Sequence, residues 1–332
     1  MLKKISCLLL LGACISQVTL ARPLSEKAGW RYTLSLSTLY SSSQSQKNTD
    51  STNKVTEDLN NNGQSVSKIH VFPLGNVLYT LDDLKTQFYF NTNNAEQIKI
   101  AKFQYEFGVK HQFDDQSKLT FAAFPKLSLY NEVWSDPFLQ GSERSTTKEK
   151  VGGARIAIEQ ILATPLTLKY AIASNSINNE KSGNSELTDN NELTLLRRDS
   201  VYQQTSIETM IPISEGLFLK PNFEYTERNA KGEANSYDDY ALKLSLLFFS
   251  ERALWVSTLA VGLQNYQQMN PIFDDKQDLK YASLFSVYTY KNPFNLKNWS
   301  WTMMAAYKQE QSDINFFDSR SMMMATGFTY HY

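Results

Sequence analysis

The chain has 332 residues with 33 Lys and Arg against 34 Asp and Glu, a formal charge of −1, and only 3 His and 2 Cys. It carries no basic nucleic-acid patch, phosphate loop or dinucleotide fingerprint, and histidines and cysteines are too few for an ordinary metal centre. Aromatic residues reach 13% while mean hydropathy is negative, a pairing expected where apolar residues take every second position and polar ones fill the gaps.

Lys3 and Lys4 precede an apolar run from Ile5 to Ala13 and a small-residue site at Thr19-Leu20-Ala21, the pattern of a secretory signal peptide. Cleavage after Ala21 makes residues 1–21 the leader and residues 22–332 one mature domain. It removes both cysteines, takes the formal charge from −1 to −3 and excludes disulfides. Leu11-Gly12-Ala13-Cys14 also has the small-residue-then-Cys form of a lipoprotein signal, but apolar residues resume at Ile15, Val18 and Leu20, which favours the longer leader.

From Gly29 the chain alternates: Trp30, Tyr32, Leu34 and Leu36 on one parity, Arg31, Thr33, Ser35 and Ser37 on the other. That is the period of a strand, not of a helix. The reading gives strands at Gly29–Ser42, Lys68–Leu81, Thr86–Thr92, Gln97–His111, Lys118–Trp134, Val151–Leu162 and Leu166–Ser174. It continues with Leu195–Ile213, Leu217–Asn229, Tyr237–Phe249, Ala253–Tyr266, Leu279–Lys291, Trp299–Gln311 and Arg320–Tyr332. Pro73, Gly75 and Pro125 weaken central strands, so a count of about fourteen spans twelve to sixteen. The apolar stretch Ala241–Leu263 is split by Ser250-Glu251-Arg252; as a hairpin it places no charge in lipid, as a helix it would.

Short polar turns near Asp82-Asp83, Asp114-Asp115, Ala163–Pro165, Ser214–Gly216, Ser250–Arg252 and Asn292–Asn298 alternate with long connections near Ser43–Ser67, Ser135–Lys150, Asn175–Thr194 and Gln267–Asp278. Bacterial barrels have short periplasmic turns and long outer loops. The fold class expected is therefore all-β, a transmembrane antiparallel β-barrel. The loops at 43–67 and 175–194 are rich in Asn and Ser and poor in apolar residues, so mobility is expected there. The pairs Asp82-Asp83, Asp238-Asp239 and Asp274-Asp275 read as turn or loop residues without calcium-loop spacing.

Alternation sorts side chains by destination. Phe103, Tyr105, Phe107, Leu119, Phe121, Leu166, Leu168, Tyr170, Leu219, Phe223, Leu244 and Leu246 are expected to face lipid. Arg31, Lys102, Lys110, Lys118, Lys126, Arg155, Lys169, Lys220, Arg228 and Lys243, with Glu106, Glu159, Glu208 and Glu224, are expected to line the lumen. If they border one water-filled channel, the basic excess favours anions; the alternative is cross-strand pairing, with lysines near strand ends reaching out to water.

Thr326-Gly327-Phe328-Thr329-Tyr330-His331-Tyr332 closes the chain and resembles the β-signal of outer-membrane proteins: a polar residue, Gly, then aromatics two apart with the last at the C-terminus. Thr326, Gly327, Tyr330 and Tyr332 fill it, with Phe328 on the same parity. The resemblance implies a Gram-negative outer membrane, recognition by the barrel-assembly machinery, and contact with membrane lipid and lipopolysaccharide. Pro73-Leu74-Gly75, Tyr79-Thr80 and Thr86-Gln87, with Asp136-Pro137-Phe138-Leu139-Gln140-Gly141 and Arg144 after it, resemble a family of marine Gram-negative bacterial proteins described only as a domain of unknown function. That resemblance brings no activity and no catalytic residue. Its Asp-Pro-aromatic loop either folds into the barrel mouth or is a surface loop fixed at Pro137.

A fold hosts many functions. The first expectation is a passive, porin-like channel for small polar or anionic solutes, without cofactor or catalytic site. A non-conducting surface barrel whose outer loops bind a partner comes second, and an outer-membrane hydrolase third. Of the histidines only His70 is expected near the outer rim, and no lipase or protease motif surrounds it.

Overall fold

The computed structural model describes residues 24–91, 105–127 and 131–332. The leader expected at residues 1–21 and the lumen candidate Lys102 lie outside the described residues.

Fourteen strands run around the sheet in chain order. The first seven are β1 (Gly29–Gln44), β2 (Ser65–Thr80), β3 (Thr86–Asn91), β4 (Glu106–Gln112), β5 (Lys118–Leu127), β6 (Thr146–Glu159), which also pairs the short segment Glu132–Trp134, and β7 (Leu166–Ile177). The others are β8 (Ser200–Thr209, continued by Ile211–Ser214), β9 (Leu217–Ala230), β10 (Tyr237–Phe249), β11 (Ala253–Tyr266), β12 (Leu279–Lys291), β13 (Trp299–Ser312) and β14 (Ser319–His331). Neighbours pair antiparallel, and β14 pairs β1 from Thr33↔His331 to Gln44↔Arg320, so the sheet is closed.

Register fixes the size of the barrel. Pairs followed straight across from Arg31 through Leu78, Tyr89, Gly108 and onward return to β1 about 16 residues further along, which tilts the strands about 40° to the axis on a backbone cylinder about 13 Å in radius. That is wider than barrels of about 8 strands, whose side chains fill them, and narrower than porins of about 16 to 18.

The outer face is apolar. Leu34, Leu36, Ile69, Val71, Phe107, Phe121, Leu242, Leu259 and Leu284 are all exposed there, where their burial in lipid replaces burial in a core. At the end with the short turns, tyrosine and tryptophan rings stack in pairs around the rim: Trp30 on Tyr79, Tyr32 on Tyr332 and Trp299 on Tyr330, with centroids 4.7, 4.4 and 5.3 Å apart. Such a belt is the amphipathic anchor of a membrane interface. The short turns are tied by their own aspartates, Asp83 accepting from the amides of Lys85 and Thr86 and Asp115 from that of Ser117, as Asp does in turns.

Glycines serve close approach. At Gly327, on β14, a Cβ would strike Leu36 O on β1, so this position of the closing seam takes no side chain. Tyr89 lies over Gly108 and Tyr281 over Gly262, flat against the wall.

One expected strand start and one turn reading are corrected. Residues 195–199 do not start a strand: α1 (Asn190–Leu195) is a helical turn capped by Asp189, and β8 begins at Ser200 because Leu196 is drawn into the loop core described below. Asp238 and Asp239 are not turn residues but lie in β10, with Asp239 inside the barrel accepting from Gln264 and Tyr281.

Candidate functional site

The inner wall from β3 to β10 carries most of the charges, and its glutamates are paired. Glu106 on β4, 1% exposed, accepts a two-pronged bond from Arg155 on β6 (Nε to Oε2 2.9 Å, Nη2 to Oε1 2.8 Å) and a third from Tyr89 OH (2.8 Å). Lys110 meets Glu159 at 2.8 Å, and Lys243 meets Glu224 at 2.6 Å. Glu208 is held by Lys169 (3.1 Å), Lys220 (3.5 Å) and Asn222 (2.9 Å). A carboxylate taken from water needs such partners. The wall from β11 to β14 is lined mostly by small, hydroxyl or apolar side chains such as Thr258, Ala260, Ser283, Ala306 and Ala325. The lumen therefore has an ionic side and a more neutral side, on which Lys308 pairs with Glu310.

Arg31 stands exposed at the turn end of β1, and Arg228 lies near the loop end of β9. Lys126 is a correction. The pairing of β5 with β6 slips between Phe124 and Leu127, at Pro125, and the extra residue turns Lys126 to the outer face, where it reaches Ser174 Oγ at 3.4 Å. A bulge exchanges the faces of everything beyond it. Sequence reasoning also missed the inward Asp239, Lys308 and Glu310; Lys308 bonds Glu310, which also takes Ser319 Oγ at 2.5 Å.

Of the residues that resemble a β-signal, Thr326 accepts from Trp301 Nε1 at 2.9 Å, Phe328 is exposed on the outer face, Tyr330 and Tyr332 stand in the aromatic belt, and Gly327 lies on the seam. The histidines sit apart. His70 is exposed on β2, His111 bonds Thr86 Oγ1 at the turn end, and His331 bonds Ser300 Oγ at 2.9 Å. No group of three metal-binding side chains occurs among the described residues.

The loops expected to be mobile are instead packed into a cap. Phe138, Leu196, Ala234, Ile314, Phe316 and Phe317 form a buried apolar core, with Leu59, Leu187, Ile272 and Phe273 against it. These residues come from six loops, following β1, β5, β7, β9, β11 and β13. Phe138, Phe273, Phe316 and Phe317 touch one another with centroids 5.1 to 5.9 Å apart. Each loop supplies only one to three apolar residues, too few to fold alone but enough to share a core at about 1.5 to 3 kcal/mol per buried side chain. Phe138 thus ties its Asp-Pro-aromatic segment into the cap.

Arg144 locks the cap. It is 1% exposed and donates to Gln46 Oε1 and Pro137 O, both at 3.0 Å, and to Asn53 O, while its guanidinium lies 4.7 Å over the Trp134 ring. Burial lowers its pKa to about 10, opposed by Asp136, which leaves it charged at neutral pH. Trp134 Nε1 donates to Gln46 O, and Arg198 joins Glu180 to Trp134 O. The Asn-rich composition serves turns: Asn53 Oδ1 accepts from Gln64 N and Asn61 Oδ1 from Gly63 N.

Among solved structures the chain is similar to outer-membrane-expressed OmpT of Vibrio cholerae, at 11% identity over 94% of this chain and 100% of that one, TM-score 0.44. It is also similar to a Pseudomonas aeruginosa FadL homologue (12%, 91% and 90%, TM-score 0.42) and to the CymD monoaromatic hydrocarbon channel (9%, 93% and 90%, TM-score 0.47). No curated protein matches it. The family model described as Protein of unknown function (DUF2860) matches residues 29–331, and the chain belongs to that family.

Proposed function

We propose that this member of the DUF2860 family is a passive outer-membrane channel for small polar solutes, with a weak preference for anions and an outer mouth narrowed by its cap. One observation carries the reading: a closed fourteen-strand barrel, apolar outside and ionic or hydroxyl-lined inside. A polar inner face has a use only where water reaches it. The short turns then face the periplasm and the cap faces outward, lipid and lipopolysaccharide cover the belt, and the assembly machinery reads β14.

Anion preference is supported by what pairing leaves over. Lys169 and Lys220 share one carboxylate, and Arg31, Lys118 and Arg228 make no ion pair among the described residues. A non-enzymatic role fits the Ser300–His331 contact, in which no carboxylate bonds the imidazole among the described residues, so the arrangement lacks the third member of a triad.

Liposome swelling tests this. Vesicles holding the refolded protein should swell in isosmotic small sugars, and faster in a small anionic solute than in a cationic one of equal size. No swelling by heat-modifiable, barrel-folded protein overturns the channel and favours a surface barrel that works through its cap.

A further inference from the structure

Beneath the cap, Tyr202 on β8, Arg228 on β9, Tyr237 on β10 and Tyr266 on β11 stand in one inward row, because the register sets Tyr202, Arg228, Tyr237 and Tyr266 directly opposite one another in turn. The Arg228 guanidinium lies 5.4 Å from the Tyr202 centroid and 5.7 Å from that of Tyr237, and the rings of Tyr237 and Tyr266 are 5.1 Å apart. Arg228 Nε donates to Ser200 Oγ at 2.9 Å and Nη2 to Arg198 O at 3.2 Å, both neutral acceptors. Its Nη1, and the hydroxyls of Tyr237 and Tyr266, have no hydrogen-bond partner among the described residues, yet none is a sealed, orphaned atom. They open on water-accessible space.

Lys47, from the loop after β1, lies within electrostatic reach of Arg228. Its ammonium stands 5.3 Å over the ring of Phe317 in the cap core and makes no ion pair among the described residues. It lies deep enough that burial lowers its pKa, opposed by Glu310 and reinforced by Arg228 and Lys308, while its side chain remains open to water. An exposed ammonium within electrostatic reach of Arg228 borders the same water-accessible chamber below the cap. The carboxylates nearby are committed: Glu310 to Lys308 and Ser319, Glu149 to Asn175.

The chamber thus offers two cations without carboxylate partners, two free phenolic donors and flat ring faces. We propose that it binds a small organic anion carrying a planar ring, of the aromatic carboxylate class, with the carboxylate between Arg228 and Lys47 and the ring against Tyr237 and Tyr266. Guanidinium and ammonium donors recognise the charge, and tyrosine faces recognise the ring. Charge without a ring, or a ring without charge, meets half the site. The inference rests on the channel reading only for the solute's route, so binding is measured apart from conduction.

Isothermal titration of the full refolded chain in detergent, with benzoate, acetate and benzyl alcohol as probes, tests it. Benzoate should bind saturably, and the other two at least about tenfold more weakly, since a charged hydrogen bond alone supplies about 1.5–3 kcal/mol. Arg228→Gln and Lys47→Gln are compared with wild type after each is shown to be heat-modifiable; Lys47 lies outside the strands, so its variant tests the site if the other misfolds. A loss of about tenfold or more in benzoate affinity in either folded variant supports the site. No saturable benzoate binding by wild type, equal binding of benzyl alcohol, or wild-type affinity in every folded variant overturns it. Conductance steps from protein that ignores benzoate leave the channel and remove the site; benzoate binding without steps keeps the site and removes the channel.

Discussion

Replacing Arg144 with Met should open the cap and leave the barrel closed. The methionine keeps much of the arginine stem's volume but donates nothing, so Gln46 Oε1, Pro137 O and Asn53 O lose a charged donor in a buried setting. Each such acceptor costs about 1–3 kcal/mol when left unpaired, and the stacking on Trp134 adds about 1–2 kcal/mol. Relief from burying a guanidinium that faces no bonded carboxylate offsets part of this. The net is about 3–5 kcal/mol, or about two to four powers of ten in the open population of the cap. Hydrogen exchange of amides in residues 46–64 and 135–145 should accelerate by that factor, while amides of β9 to β14 keep their protection. Unchanged exchange in both loops, with the variant shown to be folded, refutes the assignment of Arg144 as the lock.

The ionic wall makes a second test. Glu106→Gln removes the two-pronged, charged bond to Arg155 and should cost about 1.5–3 kcal/mol in denaturant unfolding, and the double variant Glu106→Gln with Arg155→Met should lose less than the two single losses summed; strictly additive losses would deny the pairing. Gly262→Ala places a methyl where the Tyr281 ring lies, so the ring must leave the wall, lose its bond to Asp239 and narrow the lumen; single-channel conductance should fall, and an unchanged value would show that the ring does not border the path. In the first cap loop, Asp50 accepts from Lys68 and from the amide and hydroxyl of Thr52, and these bonds hold its carboxyl well below the usual carboxylate range. A depressed carboxyl contributes stability above its unfolded value near 3.9 that is lost as pH falls through the folded one. Proteolysis of this loop by an acid-active protease should therefore quicken below about pH 4 in wild type but be insensitive to that change in Asp50→Asn; parallel pH profiles would refute it.

Strand order, strand count and closure were legible because period-two alternation survives in every barrel strand, and the lipid face demands apolar residues wherever it is met. Alternation says which face a residue takes only while the register is unbroken. At Pro125 it breaks, and Lys126 moves from lumen to exterior. Asp239 was missed because an Asp-Asp pair at a strand start reads as a turn, and Lys308 and Glu310, although inside an expected strand, were not assigned to the lumen. The cap was illegible locally. Leu59, Phe138, Leu196, Ala234, Phe273 and Phe316 belong to groups of one to three apolar residues in polar loops distant in sequence, and only closure of the barrel brings them together. Arg144 stood out beside the Asp-Pro-aromatic segment, but its role needs Gln46 and Asn53, almost a hundred residues earlier.

Single-channel recording of the refolded mature protein in a planar bilayer, under a salt gradient, tests the central claim most directly. The account predicts discrete, salt-dependent steps with a reversal potential displaced toward anion selectivity, and larger or longer openings in Arg144→Met. Persistent silence from barrel-folded wild type and from Arg144→Met alike, or steps that favour cations, would contradict it.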